Sequence, residues 1–294
     1  MSSALMNGQA GWSSWPAPAK LNLFLHIVGQ RADGYHLLQT AFQLLDWGDS
    51  IRLRVRADGE ISRATELPGV SLQSDLCLRA AKLLQEHAAT PLGADIAVEK
   101  RIPMGGGLGG GSSDAASVLV GLNLLWQTGL DIDTLAALGL RLGADVPVFV
   151  RGHSAWAEGI GEELTAITLP EQVYVILDPQ VCVPTAELFR APELTRNTPR
   201  GTIRGLVSGE LVANSFAPVV RARFAAVDAA MHWLDRFGES RLSGSGGCVF
   251  AAVSNIEAAN AIAQQCPPEF VVHVARGINV SPLLKMAHEF SVAG

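Results

Sequence analysis

Leu21, Leu23, Leu25 and Ile27 alternate with Asn22, Phe24, His26 and Val28, a period of two that predicts a strand over residues 21–28. Lys20 and Asn22 then share one face of it. Residues 50–55 alternate again, after a mixed apolar stretch at 36–46. Leu76, Leu78, Ala80, Ala81, Leu83 and Leu84 recur at helical spacing and predict a helix over 75–88. Residues 96–98 read as a strand, 115–126 as an apolar helix, and 133–142 as a helix stopped by Gly143. From about residue 155 the texture changes. Strands at 155–159, 173–178, 249–253 and 271–274 interleave with helices at 184–190, 219–237 and 256–265, while 194–204 is polar and irregular. That half reads as an α/β plait. Residues 1–14 are expected to form a loose extension.

Between the strand at 96–98 and the helix at 115–126 lies Pro103-Met104-Gly105-Gly106-Gly107-Leu108-Gly109-Gly110-Gly111-Ser112-Ser113-Asp114. Glycines in this density suit neither a packed strand nor a packed helix, because each loses the most backbone entropy on folding. They do let backbone N–H groups approach a ligand. Ser112, Ser113 and Asp114 are good helix N-cap residues. Strand, glycine loop and helix N-terminus together predict an anion site, with phosphate as the expected anion. No lysine follows the glycines, which excludes a P-loop. A dinucleotide fingerprint lacks its acidic residue after a second strand, since Asp131 and Asp133 stand in a helix-start context. A flexible linker does not set a leucine between glycine triplets and then launch an apolar helix.

Composition narrows the class further. The chain has 294 residues, 48% apolar and 17% charged, with a net charge of −6 and no basic cluster. A large core follows, and a nucleic-acid or anionic-membrane surface is not expected. Cys77, Cys182, Cys248 and Cys266 form no zinc or redox spacing and read as buried apolar fillers. The N-terminus has no basic or apolar leader region, and no run of 18 apolar residues exists, so a cytoplasmic protein is expected.

Residues 103–116 resemble the phosphate loop of the GHMP kinases, a family that includes galactokinase, homoserine, mevalonate and phosphomevalonate kinases. The family's other two motifs have counterparts here, in the polar first strand and in a second glycine-rich turn at 242–247. Further matching stretches are Pro-Ala-Lys-Leu-Asn-Leu-Phe-Leu at 18–25, Arg-Ala-Asp-Gly-Tyr-His at 31–36, Gly-Ala-Asp-Val-Pro-Val-Phe at 143–149 and Asn-Thr-Pro at 197–199. Jointly they cover residues 15–285 and resemble one branch of the family. The resemblance implies an α+β fold with an N-terminal ribosomal-protein-S5-like domain, 1–155, and a C-terminal ferredoxin-like α/β plait domain, 156–294. It implies ATP as co-substrate, Mg²⁺, and phosphorylation of the 2-hydroxyl of methylerythritol carried on cytidine diphosphate, a step of a non-mevalonate route to isoprenoid precursors. A monomer or weak homodimer acting on this small molecule is expected.

Roles follow residue by residue from the same resemblance. Asp145 becomes the general base and Lys20 its cationic partner, although Asp145 before Pro147 also suits a helix N-cap. A lone ammonium in the apolar strand at 21–28 independently needs a partner. ATP is assigned to Lys100, Pro103, Met104, Gly105, Gly106, Gly107, Leu108, Gly109, Gly110, Gly111, Ser112 and Ser113, the two serines serving phosphate or metal or only capping the helix. The substrate is assigned to Asn22, Tyr35, His36, Thr185 and Phe189. Tyr35 and Phe189 would sandwich a cytosine whose edge His36 reads, although such aromatics are more often core residues. Asp114 stands where some relatives carry Asn, which argues against a direct catalytic role, and no metal ligand is assignable. Two other functions fit the pattern less well. A homoserine or mevalonate-like substrate has no base to stack on Tyr35, and a non-catalytic sensor would not need Lys20 and Asp145.

Overall fold

A computed structural model describes residues 11–293. Strands β1 (Trp12–Gln30) and β2 (His36–Arg56) form one long antiparallel hairpin. Ser13 and Trp15 are buried in β1, which corrects the loose extension for residues 12–14; residues 1–10 of that expectation lie outside the described residues. The pairing with β2 shifts by two residues between Pro18, opposite Gly48, and Lys20, opposite Leu44, which leaves the alternation of β1 unchanged. Before it, Trp15 and Ala17 enter one core cluster; after it, Ala19, Leu21 and Leu23 enter another. Lys20 and Asn22 alternate with these residues and lie on the side that carries the glycine loop.

Next come β3 (Ile61–Arg63), α1 (Leu76–Ala88), β4 (Gly93–Glu99), α2 (Gly110–Leu125), α3 (Ile132–Leu140) and α4 (Val146–Arg151). Asp75 caps α1 by accepting from the N–H groups of Cys77 and Leu78. Helix α2 is buried from Ser113 to Leu122, so its apolar residues need no stripe: it is the central helix of the first core. The hairpin β5 (Ala155–Glu158) and β6 (Glu163–Ala166) extends the same sheet, with β5 pairing to β2.

The second half comprises β7 (Val173–Asp178), α5 (Thr185–Arg190), α6 (Ile203–Val207), α7 (Ala217–Arg223), α8 (Ala225–Leu234), β8 (Arg241–Leu242), β9 (Val249–Val253), α9 (Ile256–Ala263), β10 (Val271–Ile278) and α10 (Pro282–Ala293). The principal strand order is β3-β4-β2-β10-β7-β9-β8. Strand β10 joins the halves, pairing with β7 along most of its length and with β2 at Gly277 and Ile278. The single helix expected over 219–237 is broken at Phe224, whose backbone is extended (φ −126°). The break turns Val219 and Val220 on α7, and Val227, Ala230 and Leu234 on α8, into one core. Helix α10 was not foreseen. It returns to the first core through Leu283, Met286 and Phe290, with Phe290 5.5 Å from the ring of Trp15.

The outer edge of β1 positions the site. Pro16 and Pro18 cannot donate to a sheet ladder, which suits an edge. There Lys20 N–H donates to the Leu108 carbonyl of the glycine loop, and Leu25 exchanges backbone hydrogen bonds with the 213–215 segment.

Candidate active site

The glycine loop turns at Gly105, Gly107 and Gly109, with φ of 74°, 78° and 76°. Leu108 is buried in the core while the glycines around it line a groove of about 390 Å³. That explains one leucine between two glycine triplets: the side chain anchors a loop whose backbone faces outward. Helix α2 starts at Gly110 with Gly109 as N-cap, and no side chain caps its first N–H groups. This corrects the capping expected of Ser112, Ser113 and Asp114, which sit within the first turns. Uncapped N–H groups at the positive end of a 16-residue helix form an anion site. Pro103, Met104 and Ser112 line the groove with Gly105–Gly107 and Gly109–Gly111, whereas Ser113 is fully enclosed and its hydroxyl has no partner. Leu67, Val70 and Leu76 form an apolar wall beside it.

Lys20 stands where the loop meets β1. Its side chain is 3% exposed, and Nζ lies 3.3 Å from Asp145 Oδ2. Nζ also donates to Asn22 Oδ1 and, at 2.9 Å, to the Gly107 carbonyl. An ammonium has three N–H donors, so these three partners fix it. Asp145 occupies the N-cap position of α4, yet its side chain makes no capping hydrogen bond. It faces Lys20 instead and stays 34% exposed, open to an incoming hydroxyl. The second glycine turn closes this corner: Ser243 Oγ donates to the Gly107 carbonyl and accepts from Asn22 N–H.

Tyr35 sits at the tip of the β1–β2 turn and is 60% exposed. His36 stacks on Phe189, with centroids 4.9 Å apart and planes 29° off parallel. A cavity of about 710 Å³ is lined by Tyr35, His36, Ala186, Phe189, Arg196 and Ala144, the last adjoining Asp145. Thr185 does not line it; its hydroxyl meets that of Ser245 in the second glycine turn, 2.8 Å away. Arg196 was missed by the sequence reasoning. It lies in the irregular stretch 194–204, beside the Asn-Thr-Pro match at 197–199, and that adjacency was the available signal.

Lys100 lies at the groove floor, bridging Asp49 and Asp114, with Asp114 Oδ2 2.8 Å away. Two carboxylates thus share one ammonium. Burial raises Asp114 to about 7, opposed by Lys100 and reinforced by Asp49. A carboxylate raised in the folded state binds its proton more tightly than in the unfolded chain. Its contribution to stability therefore falls as pH rises from the ordinary range through about 7. Asp114→Asn removes that titration and keeps the Lys100–Asp49 pair. Thermal melts should show the variant gaining on the parent as pH rises through 7, with little difference near pH ~4. A gap independent of pH would contradict a strained Asp114.

Profiles of the family match the chain in both halves, as GHMP kinases N terminal domain over residues 75–153 and GHMP kinases C terminal over 203–272. The chain belongs to the GHMP kinase family. It is 56% identical over 283 residues, 96% of either chain, to the 4-diphosphocytidyl-2-C-methyl-D-erythritol kinase of Xanthomonas campestris pv. campestris (strain B100). The protein of that name from Xylella fastidiosa (strain 9a5c) is 55% identical over 96% of this chain and 95% of its own. A crystal structure of 4-(cytidine 5'-diphospho)-2C-methyl-D-erythritol kinase superposes with a TM-score of 0.77 at 34% identity, covering 90% of this chain and all of that one. The two-domain α+β fold agrees with the expectation from sequence.

Proposed function

We propose that the chain transfers the γ-phosphoryl of ATP to the 2-hydroxyl of 4-diphosphocytidyl-2-C-methyl-D-erythritol. One observation carries the reading. The Lys20–Asp145 pair connects the two sites, Lys20 touching the glycine loop of one while Ala144, next to Asp145, lines the other. An ATP held by the loop and a cytidyl group held in the pocket would bring phosphoryl group and hydroxyl to that junction. Asp145 accepts the hydroxyl proton. Lys20 and the N–H groups of α2 offset charge on the transferred phosphoryl, so catalysis is positioning and electrostatics.

Among the described residues, no three His, Cys, Asp or Glu side chains cluster as a metal site. Mg²⁺ keeps most of its shell as water and phosphate oxygen and takes one or two protein ligands. Ser112, which lines the groove, is the side chain that would hold it, and bound there it would neutralise phosphate charge. Residues 1–155 and 156–294 form the two functional halves. Hairpin β5–β6, at the boundary, and helix α10 of the second half build onto the sheet and core of the first.

The function is tested by following ATP consumption with the cytidyl substrate, homoserine and mevalonate in parallel. Turnover with the first alone is expected, and turnover with either of the others in its place would overturn the assignment. The base site carries its own expectation. Stacking on an aromatic face contributes roughly 1–3 kcal/mol per base, so Phe189→Ala should raise the cytidyl KM by about one to two orders of magnitude. Tyr35→Ala should do the same, and the KM for ATP should hold in both. Normal cytidyl KM in both variants would remove the base from this pocket.

A further inference from the structure

His36 and Arg196 meet in the wall of the aromatic pocket. Arg196 Nε lies 3.1 Å from His36 Nε2. A guanidinium has only N–H donors. Nε2 must therefore be the accepting nitrogen, which makes the imidazole neutral with its one proton on Nδ1. Burial and the Arg196 charge both lower the His36 pKa, which favours that neutral form. The other ionisable groups lining the pocket are Tyr35, Arg190 and Asp33, and Asp33 is paired with Arg31 at 2.8 Å.

Arg196 is itself held in place. Its Nη2 donates to the carbonyls of Phe189 and Ala191, at 2.9 and 2.8 Å, and Nη1 donates to that of Leu194 at 3.0 Å. One side chain thus ties the C-terminal end of α5, which carries Phe189, to the imidazole that stacks on Phe189. The two sides of the pocket come from segments about 160 residues apart, and Arg196 bonds to both.

We infer that Arg196 is a positioning residue for base selection: it holds His36 as the Nδ1–H tautomer, so that the pocket offers a donor to the ring-nitrogen acceptor of a cytosine. Uracil carries N–H at that ring position, and a donor facing a donor leaves both unpaired. Which imidazole nitrogen is protonated depends on the hydrogen bond made by the other. A neutral imidazole without such a partner carries its proton mostly on Nε2. Removing Arg196 would then turn Nδ1 into an acceptor and reverse the reading. This inference rests on the base-site reading above and names the residue that makes it selective.

The pH dependence separates this role from simple scaffolding. Protonated imidazole has N–H on both nitrogens whatever its neighbours, so acid restores the Nδ1 donor even without Arg196. We would measure kcat and KM for the cytidyl substrate and its uridyl analogue in the parent chain, Arg196→Met and Arg196→Lys. The two conditions are about pH 8 and about pH 5.5, either side of the ordinary imidazole value of about 6.5. The parent should prefer cytidyl at both. Arg196→Met should lose about tenfold in cytidyl KM at the higher pH, the scale of one buried hydrogen bond lost, and regain most of it at the lower. Its kcat and its KM for ATP should stay near parent values, and Arg196→Lys should lie between. Nitrogen-15 spectra of the His36 ring in the unliganded parent chain give a direct reading, with Nδ1 expected to carry the proton near pH ~7.5.

A ring protonated on Nε2 in the parent overturns the inference, as does an equal loss at both pH values in Arg196→Met. Normal cytidyl KM in Arg196→Met also overturns it if Phe189→Ala is impaired. Normal KM in both variants, with the proton on Nδ1, overturns the base-site reading instead.

Discussion

Asp145→Asn is expected to lower kcat by about 10²–10⁴-fold, the usual contribution of a positioned general base. The amide keeps the carboxylate's size and loses its charge and proton affinity. Lys20 would keep Asn22 and the Gly107 carbonyl as partners, so the corner should hold its shape. ATP affinity should persist, because the N–H groups at the start of α2 do not depend on Asp145. The bland alternative, a helix cap, would appear as a stability loss of about 1 kcal/mol with near-normal turnover. The absence of a capping hydrogen bond from this side chain argues against it. Single-turnover rates together with calorimetric ATP titration decide between the two.

Gly107→Val should weaken ATP binding by roughly one to two orders of magnitude, converting about 1–3 kcal/mol of backbone strain. Two causes act together. The φ of 78° belongs to the left-handed region, which β-branched residues avoid. A Cβ there would also overlap the Ser243 carbonyl oxygen and lie 3.0 Å from Gly246 N. The loop would have to leave the second glycine turn, carrying with it the Gly107 carbonyl that Lys20 and Ser243 both use. Turnover should therefore fall along with affinity. Gly129→Ala is the control: its φ is 69°, no atom lies within 4 Å of its added Cβ, and it belongs to the turn after α2. It should cost stability through strain and leave ATP affinity unchanged. Equal ATP affinity in Gly107→Val and the parent would contradict a loop shaped by its glycines.

The glycine loop, its anion-binding role and the flanking strand and helix were legible because each is local: glycine's backbone freedom and the apolar runs at 96–98 and 115–126 need no partner to be read. Lys20 was legible as a charge in an apolar strand, and Asp145 only through resemblance, since locally it reads as a cap. Other features had no local trace. The break at Phe224 interrupts an unbroken apolar pattern, because it exists to bend two helices onto one core. The extension of β1 back to Trp12 crosses two prolines that argue locally against a strand and are tolerated only because that edge is unpaired by sheet.

The sequence by itself determined a two-half α+β kinase fold, the phosphate loop, and the residue types that must meet around it. Tertiary structure decided which of them meet. Lys20 reaches the Gly107 carbonyl across 87 residues, and Ser243 braces Gly107 from 136 residues away. Arg196 reaches His36 across 160 residues, so the imidazole's proton is placed by a neighbour that no period or motif connects to it. Periodicity reports which face of an element is buried, and it carries no information about which distant side chain arrives there.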